Sequence, residues 1–423
     1  MNPGNQKSKI QPPKSQLRVL MLSWEYPPYV VGGLGAHVAA LAPALARAGV
    51  EVHVVTPRWK GGAAREMIGE KKSRARHHVS TVHRVDPPMA SLTNFYADVQ
   101  QTNLNLGEQG DALFRDLGGF DIIHAHDWLV AWSAAALKRS FKTPLVATIH
   151  ATERGRGRGF LSGEAARAIN GTEWWLTYEA WRVVTTSQFM AHEVKSYFQT
   201  PADKVDIVAN GVDASPFDAL DGIDLKTFRK RWARPDEKIV FNIGRVVEEK
   251  GAHLIVEAAP RVLAQIPNAR FIIAGTGWMH DDIQRRADEL GIADKVKVAG
   301  FVSDADRDRL LKVADAAIYP SLYEPFGIVA LEAMAAKCPV IVADAGGLGE
   351  VVTHDVDGVK VYPGNVESVA WGIVHTLSDP AAARKRAARA YRMVKKEYNW
   401  DYIAEKTIEV YRRIIAERKK VNW

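Results

Sequence analysis

Glu324 and Glu332 stand eight residues apart in the stretch Glu-Pro-Phe-Gly-Ile-Val-Ala-Leu-Glu, about eighty residues after Gly244-Arg245-Val-Val-Glu-Glu-Lys250-Gly251. The two segments carry complementary chemistry. Arg245 and Lys250 can neutralise a diphosphate, and fixed cations stabilise the charge that grows on it as a bond to it breaks. The carboxylates can hold sugar hydroxyls through charge-assisted hydrogen bonds. A site that binds a nucleotide-sugar and breaks its anomeric C–O bond needs both halves.

The local pattern gives these residues distinct settings. Glu324 lies in the proline-bounded loop Pro320-Ser-Leu-Tyr-Glu-Pro-Phe-Gly327, and a helix is predicted from about Ile328 to Lys337. The first backbone N–H groups of a helix have no internal partner, so those of Gly327, Ile328 and Val329 form a candidate anion site. Glu332 falls in the second turn among Ile328, Val329, Leu331 and Met334, where a carboxylate requires a partner. Gly32-Gly33-Leu-Gly35 separates a predicted strand from a predicted helix. Such glycines allow phosphate to approach the backbone, although any tight strand-to-helix turn also favours them.

His150 ends the apolar run Leu145-Val-Ala-Thr-Ile, and Asp127 follows another in His124-Ala-His126-Asp127-Trp128. Both are placed at strand ends facing one cleft. His124 and His126 share a strand face, but the sequence indicates no third ligand beside them, so no metal site is expected. Asp304-Ala-Asp306 formally matches a metal-binding Asp-x-Asp pair. Following Ser303 and opening a helix, it reads instead as a capped, dipole-complementing first turn. Trp174, Tyr178 and Trp181, at i, i+4 and i+7, are expected to form a core-facing stripe.

The elements that must position these groups repeat as strand, turn, helix, strand, which is the pattern of parallel α/β sheets. Strands are predicted near residues 17–23, 50–56, 121–124, 145–150, 183–187 and 205–208, and a second series runs from 238 to 362. A polar stretch with Pro216 and Pro235 separates the two series. The resulting division is a disordered tail at 1–16, an N-terminal Rossmann-like acceptor domain at 17–212 and a linker at 213–237. A C-terminal Rossmann-like nucleotide-sugar domain follows at 238–399, with a crossover helix at 400–423. At 423 residues the chain is long enough for two such cores.

A lone cysteine, Cys338, excludes an intramolecular disulfide and fits a reducing cytoplasm. No apolar run marks a signal peptide or membrane span. The net charge of +7 lies almost wholly in the first 210 residues, around Arg58 to Arg76 and Arg154-Gly-Arg156-Gly-Arg158. These are either solvated loops or a face for an anionic acceptor, a phosphate or a membrane surface. No nucleic-acid partner is expected.

Together these residues resemble the retaining glycosyltransferases of family 4, over residues Leu17 to Tyr411. The markers are the Glu324/Glu332 pair, Gly244-Arg…Lys-Gly251, Gly32-Gly33 and His124-Ala-His-Asp-Trp128. Ser23-Trp-Glu-Tyr-Pro-Pro28 and the strand ending in His150 narrow the likeness to bacterial glycogen synthases and to related enzymes that make maltose 1-phosphate. The resemblance implies a GT-B fold: two Rossmann-like, doubly wound domains facing a central cleft, with a C-terminal helix returning toward the first. It implies Arg245 and Lys250 on the donor diphosphate, Glu324 on the sugar, Glu332 on the ribose and the backbone around Val302 near the base. It further places His150 on the transferred sugar and Asp127 near the acceptor. Cofactor and metal are not implied, and the proton acceptor would be a donor phosphate oxygen. The implied donor is ADP- or UDP-glucose, and the implied acceptor an α-glucan or a glucosyl phosphate.

One departure is Val30, where glycogen synthases place lysine. Together with the arginine loop it fits a phosphorylated acceptor such as glucose 1-phosphate. Two other readings stay open: a peripheral membrane α-mannosyltransferase using GDP-mannose, and a nucleotide-sugar epimerase of the same fold.

Overall fold

The computed structural model describes residues 16–69, 80–87 and 94–422. The expected tail lies outside them except for Gln16, as does the 70–76 part of the first basic stretch. The first sheet holds β1 Arg18–Leu22, β2 Glu51–Pro57, β3 Arg65–Ile68, β4 Ser80–Val85, β5 Ile122–His126, β6 Leu145–Ile149, β7 Arg182–Thr185 and β8 Val205–Ile207. Their order is β3-β4-β2-β1-β5-β6-β7-β8, all parallel except β3 against β4. The second sheet is wholly parallel. It comprises β9 Lys238–Ile243, β10 Ala269–Ala274, β11 Val296–Gly300, β12 Ala316–Tyr319, β13 Val340–Ala343 and β14 Val359–Val361. Its order is β11-β10-β9-β12-β13-β14.

Strands covered by helices on both faces read as continuous apolar runs, and β5, β6, β12 and β13 are buried throughout. In each sheet the winding reverses once, between β1 and β5 and between β9 and β12. Loops leaving the carboxyl ends at such a reversal diverge and open a crevice. The loops after β1, β5, β9 and β12 carry Gly32-Gly33, Asp127, Arg245 and Glu324, so topology alone brings the chemistry to two facing edges. The architecture is the expected GT-B pair of domains.

Three details differ from the sequence reading. Strands β3 and β4 had no clear apolar signature; β4 contains Arg84, whose buried guanidinium donates to Pro27 O at 2.6 Å and pairs with Glu66 at 2.7 Å. Residues 213–237 do more than connect. They form short helices at Ser215–Asp218 and Lys226–Arg229, and seat Phe217, Phe228 and Trp232 in the second domain's core.

The third difference is a correction. Of the three stripe residues Trp181 packs against the first domain's core, just past the helix end, but Trp174 and Tyr178 are 48% and 69% exposed and stack on each other at 5.8 Å. The helix Gly163–Glu179 turns Glu173, Leu176 and Thr177 inward instead, because the Glu173 carboxylate accepts the Glu153 N–H at 2.9 Å. A buried polar obligation outranks the aromatic periodicity.

The helix Trp400–Arg418 crosses back to the first domain. Asn399 caps it by accepting the Tyr402 N–H at 2.9 Å. Ile403, Ile408, Tyr411 and Ile414 then pack among Val19, Val38 and Leu41. The fully buried Tyr411 hydroxyl bonds His124 Nδ1 at 2.6 Å, while His124 Nε2 meets Thr148 Oγ1 at 2.7 Å. Removing one partner of a buried hydrogen bond leaves the other unsatisfied. Tyr411→Phe is therefore expected to destabilise the protein by about 1–3 kcal/mol in urea denaturation; unchanged stability would show that the anchor is the ring alone.

Candidate active site

A cleft of about 510 Å³ lies between the two carboxyl edges, lined from the first domain by Gly32, Gly33, Asp127, His150 and Arg156. The second domain contributes Arg245, Lys250, Glu324, Gly327, Ile328, Val329 and Glu332. The structure thus brings together every site residue predicted from sequence except Val302. The Val302 side chain packs against the second domain's core while the neighbouring Phe301 is 80% exposed; the expected contact is one of the backbone around Val302, which this packing leaves open.

On the second domain's wall, Gly251 has φ +69°, and a Cβ there would stand 2.1 Å from Pro320 O. That close approach sets the Lys250 loop against the Glu324 loop. Lys250 Nζ bonds Glu324 Oε2 at 2.7 Å, with side chains 23% and 13% exposed. Arg245 pairs with Glu249 at 2.6 Å but remains half exposed to the cleft. Gly327, at φ +100°, starts the helix Ile328–Ala335 without any side-chain cap. Its leading residues line the same cleft as the two cations, an arrangement suited to a diphosphate. A Cβ built on Gly33 would reach within 3.5 Å of Ile328 Cδ1, so the first domain's glycine turn closes directly over this helix start.

Glu332 has the partner its burial demands. Arg307 reaches its Oε1 at 3.4 Å, and burial still holds the carboxyl above the usual range against that pull. Sequence reasoning missed Arg307, hidden in the charged run Asp304-Ala-Asp-Arg-Asp. The same run bears out the structural reading of Asp304 and Asp306: Ser303 Oγ caps the helix by accepting the Asp306 N–H at 3.2 Å.

On the opposite wall Asp127 adopts φ 61°, ψ 175°, an uncommon conformation for a non-glycine residue, and is 4% exposed. Its Oδ1 accepts the His150 N–H at 2.7 Å, which fixes the end of β6. Burial pushes its pKa up to about 6, opposed by Arg156 and by backbone N–H groups. Burial, reinforced by Arg156, pulls His150 down to about 3, so the ring is neutral near pH 7 and serves as a hydrogen-bonding group. His150 Nε2 meets His126 Nδ1 at 3.1 Å.

Arg156 closes the short helix Glu153–Arg156, where Thr152 caps Gly155 N–H at 2.9 Å. Glu153 lies 3.5 Å from it, while Asp127 and Glu173 act on it electrostatically. Burial raises Glu173 to about 8. The basic loop read from sequence thus places one arginine in the cleft and another, Arg158, on Glu248 of the second domain at 2.6 Å. In the other basic stretch, Arg58 is paired with Asp86 at 2.5 Å.

Comparison with known proteins agrees with this geometry. Residues 31–215 match the family described as Glycosyltransferase Family 4, and residues 224–393 match Glycosyl transferases group 1. The chain is 37% identical to an uncharacterized glycosyltransferase of Methanocaldococcus jannaschii over 94% of its length and 98% of that protein. The chain belongs to glycosyltransferase family 4. It is also 35% identical to a glycogen synthase of Mycobacterium tuberculosis, covering 93% of this chain and 94% of the relative. The catalytic domain of starch synthase IV from Arabidopsis thaliana, solved with ADP and acarbose, shares the fold at a TM-score of 0.74 and 19% identity. That match covers 95% of this chain and all of the solved one. This family 4 protein is accordingly a hexosyltransferase with the GT-B fold. No helix among its described residues is long and apolar enough to cross a membrane.

Two outcomes test the site. Arg245→Ala is expected to cost about 2–4 kcal/mol of transition-state stabilisation in kcat/KM, in line with loss of a fixed donor to a developing anion; a rate within twofold of wild type would falsify the diphosphate role. For Glu173 the folded pKa lies above the ordinary glutamate value of 4.5, so between there and about 8 the folded state holds a proton that the unfolded state lacks. Stability contributed by this group is present at low pH and lost as pH rises through that window. Melting temperatures measured from pH 5 to 9 should therefore fall less in Glu173→Gln than in wild type, and parallel curves would contradict the burial argument.

Proposed function

We propose that the protein is a retaining, metal-independent glucosyltransferase of the cytoplasm. It moves an α-glucosyl unit from ADP- or UDP-glucose to an α-glucan or a glucosyl phosphate. The observation that carries this reading is the two-walled cleft. Arg245, Lys250 and an uncapped helix start lie on one side, and Asp127, His150 and Arg156 lie on the other. The glycogen synthase likeness over nearly the whole chain supports an α-glucosyl product, and the structural neighbour solved with ADP supports a nucleotide donor.

In this reading the diphosphate settles on the N–H groups of Ile328 and Val329 and takes Lys250 and Arg245 from their glutamates. Glu324, released from Lys250, accepts sugar hydroxyls, and Glu332, steadied by Arg307, accepts from the ribose. The neutral His150 ring bonds the transferred sugar beside its anomeric carbon. The anomeric C–O bond to phosphate breaks, the acceptor oxygen bonds the same face, and its proton passes to the departing phosphate oxygen. Charge neutralisation comes from side chains and helix backbone, so no divalent ion is required for the step.

Arg156 favours an acceptor carrying phosphate: it projects into the cleft near Asp127, where a neutral glucan has no use for a cation. A screen pairing ADP-, UDP- and GDP-sugars with glycogen, maltooligosaccharides and glucose 1-phosphate tests the proposal. Glucosyl transfer that survives chelator is expected, and Arg156→Gln should raise KM for the sugar phosphate by about tenfold or more. Mannosyl transfer to lipid, or epimerised product formed without an acceptor, would overturn it.

A further inference from the structure

Behind His150 lies a cluster of three imidazoles. His37 comes from the helix Gly33–Arg47, His126 ends β5 and His150 follows β6. His37 and His150 ring centroids are 4.8 Å apart, and both stand 5.4 Å from His126. One ring nitrogen of each lies within 4.8 Å of the others. His126 Nδ1 and His150 Nε2 are already 3.1 Å apart. Two nitrogens sharing a tetrahedral ion at metal–nitrogen bonds of about 2.0–2.1 Å stand roughly 3.3 Å apart, so that edge is nearly formed. The third nitrogen, from His37, lies within 4.8 Å of these and has to move inward to share the ion.

The hydrogen bonds around the cluster point the same way. His37 Nδ1 lies 2.6 Å from Asn210 Oδ1, an oxygen that only accepts, so the proton is on Nδ1 and the lone pair on Nε2. His37 Nε2 is buried with no hydrogen-bond partner among the described residues; His126 Nε2 is buried and unpartnered too, but it is the nitrogen opposite the His150 edge and carries the proton when Nδ1 binds an ion. The two side chains are 3% and 0% exposed. A histidine whose far nitrogen is tied to a carbonyl oxygen while the near one is unsatisfied has the outer-shell arrangement of a metal ligand. His124 differs, since Tyr411 and Thr148 engage both of its nitrogens. The charged neighbours are Arg156, which opposes a cation, and Asp127, which offsets it.

We propose that His37, His126 and His150 form a site for one borderline divalent cation, Zn²⁺ or its substitute Co²⁺, entered from the cleft past His150. All three rings bind as neutral imidazoles, with a change of tautomer in the His126–His150 pair and no proton released. A filled site withdraws His150 from the sugar and stops transfer; that consequence rests on the proposed function, whereas binding does not.

The test is titration of metal-stripped, full-length protein with Co²⁺, read by tetrahedral visible absorption and by calorimetry without substrate. One Co²⁺ per chain, displaced by Zn²⁺, is expected. His37→Gln should weaken affinity at least about tenfold, and Asn210→Asp, which makes the outer partner a carboxylate, should strengthen it. No tetrahedral band, or equal binding by wild type and both variants, overturns the site. In the transfer assay Zn²⁺ should inhibit wild type, with His37→Gln requiring about tenfold more. Binding that leaves transfer untouched overturns the place of His150 among the ligands.

Discussion

The ion pair between Lys250 and Glu324 is the interaction on which the site depends. It joins the loop after β9 to the loop after β12, the two loops that part at the second sheet's reversal point. Both charges are mostly withdrawn from water, and each requires the other while the cleft holds no ligand. The pair therefore keeps a cation and a carboxylate beside the helix start at Ile328, where the proposed function has them exchange each other for phosphate and sugar oxygens. Preorganisation of this kind lowers the cost of binding, because the groups are already aimed. The same logic extends outward, with Arg307 holding Glu332 and Asp127 holding the backbone of His150.

A cleft between two domains works only if both walls keep their distance. Several contacts join them beside the site. Glu350 of the second domain accepts the Gln188 and Phe189 N–H groups at 2.9 and 2.6 Å, capping a helix of the first. Ser187 Oγ donates to Pro325 O at 2.7 Å, and the Tyr323 hydroxyl donates to Glu193 Oε2 at 3.0 Å. On the far side the Trp400–Arg418 helix completes the first domain's core. The two domains are thus joined by polar contacts beside the cleft and by the apolar seat of the closing helix.

Much of this was legible in sequence, for physical reasons. Parallel strands covered on both faces must be apolar throughout, so their runs stood out, and glycines marked the turns that feed the cleft. Glu324 and Glu332 were found from spacing because a carboxylate in an apolar helix is costly and therefore conspicuous. What escaped depends on contacts between distant segments. Arg307 looked like one charge among many until Glu332 came within 3.4 Å. His37 looked like a helix residue until the topology set it beside His126 and His150. The Trp174 stripe misled because the inward face of that helix serves Glu173, whose duty lies in another loop. Strand β4 was obscured by Arg84, whose partners lie on Pro27 and Glu66.

The central claim is that Lys250 trades Glu324 for a nucleoside diphosphate. Calorimetric titration of ADP and UDP into wild-type protein and Lys250→Met tests it most directly. One site per chain and an affinity loss of about tenfold or more in the variant are expected, the size of a lost charge-assisted contact. Equal affinity in the two proteins would contradict it.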